Sequence, residues 1–295
     1  MQLATRLDFD GLVCAAMIYE MERIEEINFT NPKELEEGRM PFYFDYGDAL
    51  AHLPFNANAR LWFHNRDFES IPPQKLEGVR GKWAHANCVS TLVYEYYNKP
   101  ELEKFKPLVD HADNLGAAIL TKEDILDPKG WMMLCYTLDP RFAQDHGYGV
   151  EILTAIRTGK SPEEILQKEK VALRVSRYLE DEKRYRAELK QHTKMDGNVI
   201  LTDFTDFTDA PRGNRFVAFL AYPDGNVQVR VDNDRDPMRL KVSVSKSIFN
   251  KTCGVNVGEL MKEYSGGGVE GAGTCPIAAR NKDKRVPEII EKLKG

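Results

Sequence analysis

Two acids spaced two residues apart, Asp8 and Asp10, stand in Thr5-Arg6-Leu7-Asp8-Phe9-Asp10-Gly11-Leu12. In an extended segment, residues i and i+2 project to the same side. Both carboxylates would then leave the carboxyl end of an opening strand together, where open α/β sheets take their ligands. Paired carboxylates suit a hard divalent cation. A strand-to-helix turn in which Asp caps the helix explains the same letters, and this stretch alone leaves both readings open. A second candidate is rich in glycine: Gly266, Gly267, Gly268, Gly271 and Gly273 fall within eight residues. Such a loop can bring backbone N–H groups close to a phosphate; a flexible connector is the plainer alternative. It has neither the Lys-Ser/Thr of a Walker loop nor the preceding strand of a dinucleotide fingerprint.

The elements that must position these residues alternate. A strand over Met1–Leu7 leads into a helix over Leu12–Met21, and further strands are expected at Pro41–Tyr46 and Ala59–Phe63. Helices are expected at Thr91–Tyr97, Glu101–Ala112 and Gly130–Leu138. Interleaved strands and helices indicate a mostly parallel sheet covered on both faces. Ser161-Pro162-Glu163-Glu164 is a capping box with proline at the first helical position. It opens a long, charge-dense helix with Val171, Val175, Tyr178, Tyr185 and Leu189 on one stripe, ending near Met195-Asp196-Gly197. Beyond it, Asn198–Phe204, Arg215–Tyr222, Asn226–Asp232 and Leu240–Ile248 alternate like strands, with Pro223-Asp224-Gly225-Asn226 as a hairpin turn. Helices at Val257–Tyr264 and Val286–Leu293 complete a smaller α+β domain.

At 295 residues the chain has room for two domains with cores of their own. Its hydrophobic share of 42% and charged share of 29% are those of an ordinary globular protein. No apolar run approaches the roughly 18 residues of a membrane span. The five cysteines are scattered without zinc spacing and read as buried thiols of a reducing compartment, so a cytoplasmic location is expected. A net charge of −5 disfavours a bulk electrostatic grip on nucleic acid. No membrane partner is expected, and a homodimer is compatible with the sequence.

Taken together, the two stretches resemble the DHH phosphoesterase family. That family's first motif looks like T-H/R-G-D-x-D-G-L, matched by Thr5 to Leu12, and its loop G-G-G-H-x-x-A-G-T is matched by Gly266 to Thr274. Asp48–Phe55, His111-Ala112-Asp113-Asn114 and Asp124–Trp131 fit as well, the last resembling the exopolyphosphatase-related branch. The likeness covers nearly the whole chain. It implies a DHH-type domain over 1–160, a linker helix over 161–196 and a DHH-associated, substrate-binding domain over 197–295. It also implies a metal-dependent phosphohydrolase in which two cations, usually manganese, clamp the phosphate and acidify a bridging water. The positions that match its metal ligands are Asp8, Asp10, Asp48 as the bridging acid, and Asp113, with Asp45 the alternative to Asp48.

Three departures bear on that chemistry. The name-giving Asp-His-His falls on His64, Asn65 and Arg66; Arg6 stands where many members carry His or Asp; Val269 replaces the loop histidine. Asn is a weak substitute for imidazole, and Arg carries a charge it cannot lose. The expectation is an eroded site that holds one manganese or magnesium ion or none, with Arg6 and Arg66 offsetting the carboxylates. Such a protein would be weak or inactive and bind a small phosphate-bearing ligand in the interdomain cleft through Arg6, His64, Asn65, Arg66, Arg141, Gly266, Gly267 and Gly268. The alternative is an active manganese-dependent phosphohydrolase acting on polyphosphate, a nucleotide or a short oligonucleotide.

Overall fold

The computed structural model describes residues 1–40, 42–66, 68–138 and 145–294. They divide into two units, one of residues 1–120 and 128–175, the other of 121–127 and 176–295.

In the first unit, β1 (Gln2–Thr5) is followed by α1 (Phe9–Met21), β2 (Glu26–Phe29), α2 (Pro32–Glu36), β3 (Ala49–Ala51), β4 (Leu61–His64) and β5 (Arg80–Trp83). Next come α3 (Val89–Tyr97), α4 (Lys106–Gly116), α5 (Lys122–Leu126), α6 (Gly130–Thr137), α7 (His146–Arg157), α8 (Pro162–Leu166) and α9 (Glu169–Gln191); α5 and the end of α9 belong to the second unit. The five strands form one parallel sheet in the order β2-β1-β3-β4-β5. Alternation sorts its side chains into two cores. Leu3, Ala49, Ala51, Leu61 and Phe63 join the cluster built around α1, while Ala4, Leu50 and Trp62 pack with Leu35, Phe44 and Leu53 on the other face. Parallel sheets bury both faces, which explains why these strands read as continuous apolar runs. Helix α1 is apolar nearly all round, with every residue from Gly11 to Ile18 buried, and packs against α3, α4 and α7.

The strand expected over 41–46 does not form across the described residues 42–46. Phe44 is buried while Tyr43 and Tyr46 are exposed, and the chain turns at Asp45–Asp48 to enter β3. The stretch expected as one long helix is two. Helix α8 starts on the Ser161–Glu164 capping box and closes where Lys168 N–H bonds the Ile165 carbonyl; α9 begins at Glu169.

The second unit holds β6 (Thr193–Asp196), β7 (Val199–Asp203), α10 (Val217–Ala221), β8 (Val227–Asn233), β9 (Arg239–Lys246), α11 (Val257–Lys262), β10 (Gly267–Val269), β11 (Ala272–Ala278) and α12 (Lys282–Leu293). Its six-stranded sheet runs β10-β11-β9-β8-β7-β6. The segment 215–222, expected as a strand, contains α10, and residues 223–226 are no hairpin. Strands β7 and β8 are parallel, and parallel neighbours require a crossover rather than a tight turn; α10 lies on that crossover, buried through Val217, Ala218 and Phe219. The glycine cluster is largely an edge hairpin, β10 against β11 around Glu270-Gly271. The strand valines Val199, Val227, Val229, Val231, Val242 and Val244 share a core with Met261 of α11 and Ile289 and Leu293 of α12.

Candidate active site

The first sheet switches direction between β1 and β3: β2 lies on one side of β1, β3 on the other. Ligands of open α/β sheets bind at such a point, beyond the carboxyl ends of the strands, and two loops reach it here. After β1 the chain turns at once into α1. Asp8 is the helix cap, its Oδ1 accepting from Gly11 N–H at 2.9 Å. Gly11 is required there, because a Cβ would lie 2.2 Å from the carbonyl oxygen of Arg6. The capping and functional readings of Asp8 therefore coexist. Asp10, in the first turn of α1, reaches the start of α3, its two oxygens accepting from Val89 N–H and Ser90 N–H at 2.8 Å each. A carboxylate on the free amides of a helix N-terminus also meets the positive end of that helix's dipole.

After β3 comes His52, whose backbone is held to β4 by its N–H on the Phe63 carbonyl (3.1 Å) and adopts a left-handed φ of 58°. Conformations of that kind are costly for residues other than glycine and concentrate at functional sites. His52 Nδ1 lies 3.2 Å from Asp8 Oδ1 and 3.5 Å from Asp10 Oδ2, and its Nε2 lies 3.4 Å from an Arg6 guanidinium nitrogen. Arg6 Nε sits 3.1 Å from the second oxygen of Asp8. These side chains stay 13–29% exposed, so a ligand can reach them.

Burial opposes the ionised form of Asp8, but the neighbouring His52, the Arg6 guanidinium and the Gly11 N–H outweigh it and hold the carboxyl well below the usual range. Burial likewise opposes the charge on His52, yet the carboxylates of Asp8 and Asp10 raise its pKa above the ordinary imidazole value. Cys14, with Sγ 3.8 Å from Asp10, is pushed far up by burial and by that carboxylate, so it remains a neutral thiol. Asp113, on α4, lies on the other side of the α3 N-terminus. It accepts from Asn87 Nδ2 at 3.0 Å and Thr91 Oγ1 at 3.4 Å.

The structure thus brings together Arg6, Asp8 and Asp10, and places Asp113 beside the same helix start. Asp48 is elsewhere. Its carboxylate accepts from Gln2 N–H (2.7 Å) and Asp45 N–H (2.8 Å) at the amino end of β1 and β3, and β1 alone carries the chain about 10 Å from there. The expectation that Asp48 joins Asp8 and Asp10 is corrected. The residue at the carboxyl end of β3 that meets them is His52, and Asp45 is no substitute, since it precedes Asp48 at the same end. His64 ends β4 with its ring stacked 5.5 Å from Trp62, and Asn65 is buried, donating to the Ala86 carbonyl at 3.0 Å. Arg66 is exposed and forms no ion pair among the described residues, so of the two arginines expected to offset the carboxylates only Arg6 does. Arg141 lies outside the described residues. Gly266, Gly267 and Gly268 lead into or form β10, on the second unit.

Sequence reasoning missed His52, although a polar residue directly after the apolar Ala49-Leu50-Ala51 was a readable signal. Two carboxylates and an imidazole are donors that a divalent cation accepts. Among the described residues no group of three His, Cys, Asp or Glu side chains is already arranged as a ligand shell, and both oxygens of Asp10 accept from backbone amides. The cluster as it stands is closed by its own hydrogen bonds and by Arg6.

A parallel sheet with an acid-bearing turn after its first strand, followed by a mixed second sheet, matches a DHH-type two-domain fold. Among solved structures, a pGpG-specific phosphodiesterase, PggH from Vibrio cholerae, superimposes with a TM-score of 0.82 at 28% identity over 99% of this chain and 98% of that one. That likeness, over nearly the full length of both chains, supports the resemblance to DHH phosphoesterases. RecJ of Thermus thermophilus, solved in complex with Mn2+, shares the fold at a TM-score of 0.58 and 11% identity, over 99% of this chain and 51% of that one. An exonuclease RecJ bound to manganese does so at 0.52 and 12%, over 99% and 89%. No protein-family model matches the chain, and no curated protein sequence matches it. Among the described residues no helix is long and apolar enough to cross a membrane.

Proposed function

We propose that this chain is a phosphodiesterase of short linear nucleotides, with a dinucleotide of the pGpG kind as its substrate and the Asp8–Asp10–His52 cluster as its reacting end. The observation that carries the reading is the convergence of two acids and an imidazole at the sheet's switch point, in a chain that aligns over 99% of its length with a pGpG-specific phosphodiesterase. In this reading Arg6 meets the phosphodiester charge. A water attacks the phosphorus as the bond to the ribose oxygen breaks. His52, its pKa raised by its acidic neighbours, gives that departing oxygen a proton, and the proton shed by the attacking water restores the ring. Asp8 and Asp10 orient it. Asp113 and Asn87 steady the loop before α3, whose amides fix Asp10. A divalent cation would have to displace the Arg6 and His52 contacts of Asp8.

The purified chain incubated with pGpG tests this, with manganese and separately with EDTA. Release of GMP, lowered by about two orders of magnitude or more in Asp10→Asn and in His52→Ala, is expected; a folded protein that releases none under either condition overturns it. The second reading is binding without turnover, favoured by Asn65 and Arg66 standing where imidazoles are expected. Its signature is a rise in melting temperature with pGpG and no GMP.

A further inference from the structure

The second unit carries a cavity of about 580 Å³ that involves none of the residues above. It lies where β9 begins and β11 ends, lined by Met238 just before β9 and Arg239 at its start, Pro276 and Ile277 on β11, and Tyr264 and Arg280 beside them. Arg239 pairs in register with Ala278 at this end, whereas Ser245 pairs with Ala272 at the other. Six residues of strand, about 20 Å, therefore separate the cavity from the Glu270-Gly271 turn. Its walls are apolar and aromatic, and Met238 is 70% exposed at the rim. Its charge is one-sided. Asp236 is matched by Arg239 at 3.4 Å, while Arg280 is exposed and has no ion pair or hydrogen bond among the described residues.

The volume is that of a small-molecule site, and such sites combine apolar walls with a few placed polar groups. An inorganic anion would leave the apolar wall unused, and an uncharged ring would leave the guanidinium unused. A flat ring carrying a phosphate uses both, since Arg binds phosphate through a forked pair of donors. We propose that this cavity binds a nucleoside monophosphate, with the base against Met238 and Tyr264 and the phosphate on Arg280. The inference concerns the second unit alone and does not require the first to be a phosphodiesterase.

The test is calorimetric titration of the full chain with GMP, alongside guanosine and inorganic phosphate, for wild type, Arg280→Glu, Arg280→Lys, Met238→Asp and Asp10→Asn, each checked for folding by circular dichroism. Saturable GMP binding is expected, weakened about tenfold or more by Arg280→Glu and by Met238→Asp, largely kept by Arg280→Lys, and with the Arg280-dependent component retained in Asp10→Asn. Guanosine and phosphate should each bind at least about tenfold more weakly than GMP. The proposal is overturned by no saturable binding to the folded wild type up to about 5 mM, the weak end of specific affinity. It is also overturned by binding that Asp10→Asn abolishes and Arg280→Glu leaves intact, or by phosphate binding as well as GMP.

Discussion

His52 and Asp48 occupy opposite ends of the same three-residue strand, and their environments give them different work. The imidazole is suspended between two carboxylates with its pKa raised. A raised pKa contributes stability that is complete below the unfolded value, near 6.5, and is lost as pH rises through the higher folded value. In metal-free protein, His52→Gln should therefore lower the melting temperature more at about pH 6 than at about pH 9; equal deficits at both would remove the charged imidazole from the site. Asp48 satisfies two backbone amides at the amino end of β1 and β3. Asp48→Ala should cost about 1–3 kcal/mol in denaturant unfolding, the penalty for orphaned buried donors, while leaving the pGpG turnover of the folded fraction unchanged. A loss of turnover without loss of stability would return Asp48 to the site.

The turn joining β1 to α1 is the element on which the cluster depends. It packs so closely that a methyl group at residue 11 would overlap the Arg6 carbonyl, while the cap at Asp8 fixes where the helix begins. Gly11→Ala should destabilise the protein by about 1–3 kcal/mol, as overpacking does, and should lower activity further than stability because Arg6, Asp8 and Asp10 shift together. Unfolding curves paired with specific activity of the folded fraction separate the two effects. Helix α3 is the complementary element, since its first amides hold Asp10 and its N-terminal loop holds Asp113. The strand-like reading of 215–222 failed at this same scale. Its alternation was local, whereas the parallel pairing of β7 with β8 required a crossover there.

Across the whole chain the cysteines report on packing. All five are free, four of them buried, and burial pushes the Cys275 thiol up to about 11. Since the thiolate is the reactive form, native protein should react slowly and incompletely with a thiol reagent such as DTNB, and five thiols per chain should appear on denaturation. Rapid reaction of all five in the native state would contradict the buried cores.

The sequence by itself indicated the two-domain α/β organisation, the presence of the Asp8–Asp10 pair at the first strand-to-helix turn, and the capping box ahead of the long helix. These are properties of short contiguous segments, where backbone freedom and periodicity leave few alternatives. The structure puts Asp8 on the cap and Asp10 in the first helical turn rather than both on an extended segment. Only the tertiary structure decided which distant residues meet those acids. The end of a strand at which a residue emerges is set by the register of its neighbours, and register follows from how both faces of the sheet are filled. A shift of four residues along one strand exchanged Asp48 for His52, and no spacing within the chain records that choice.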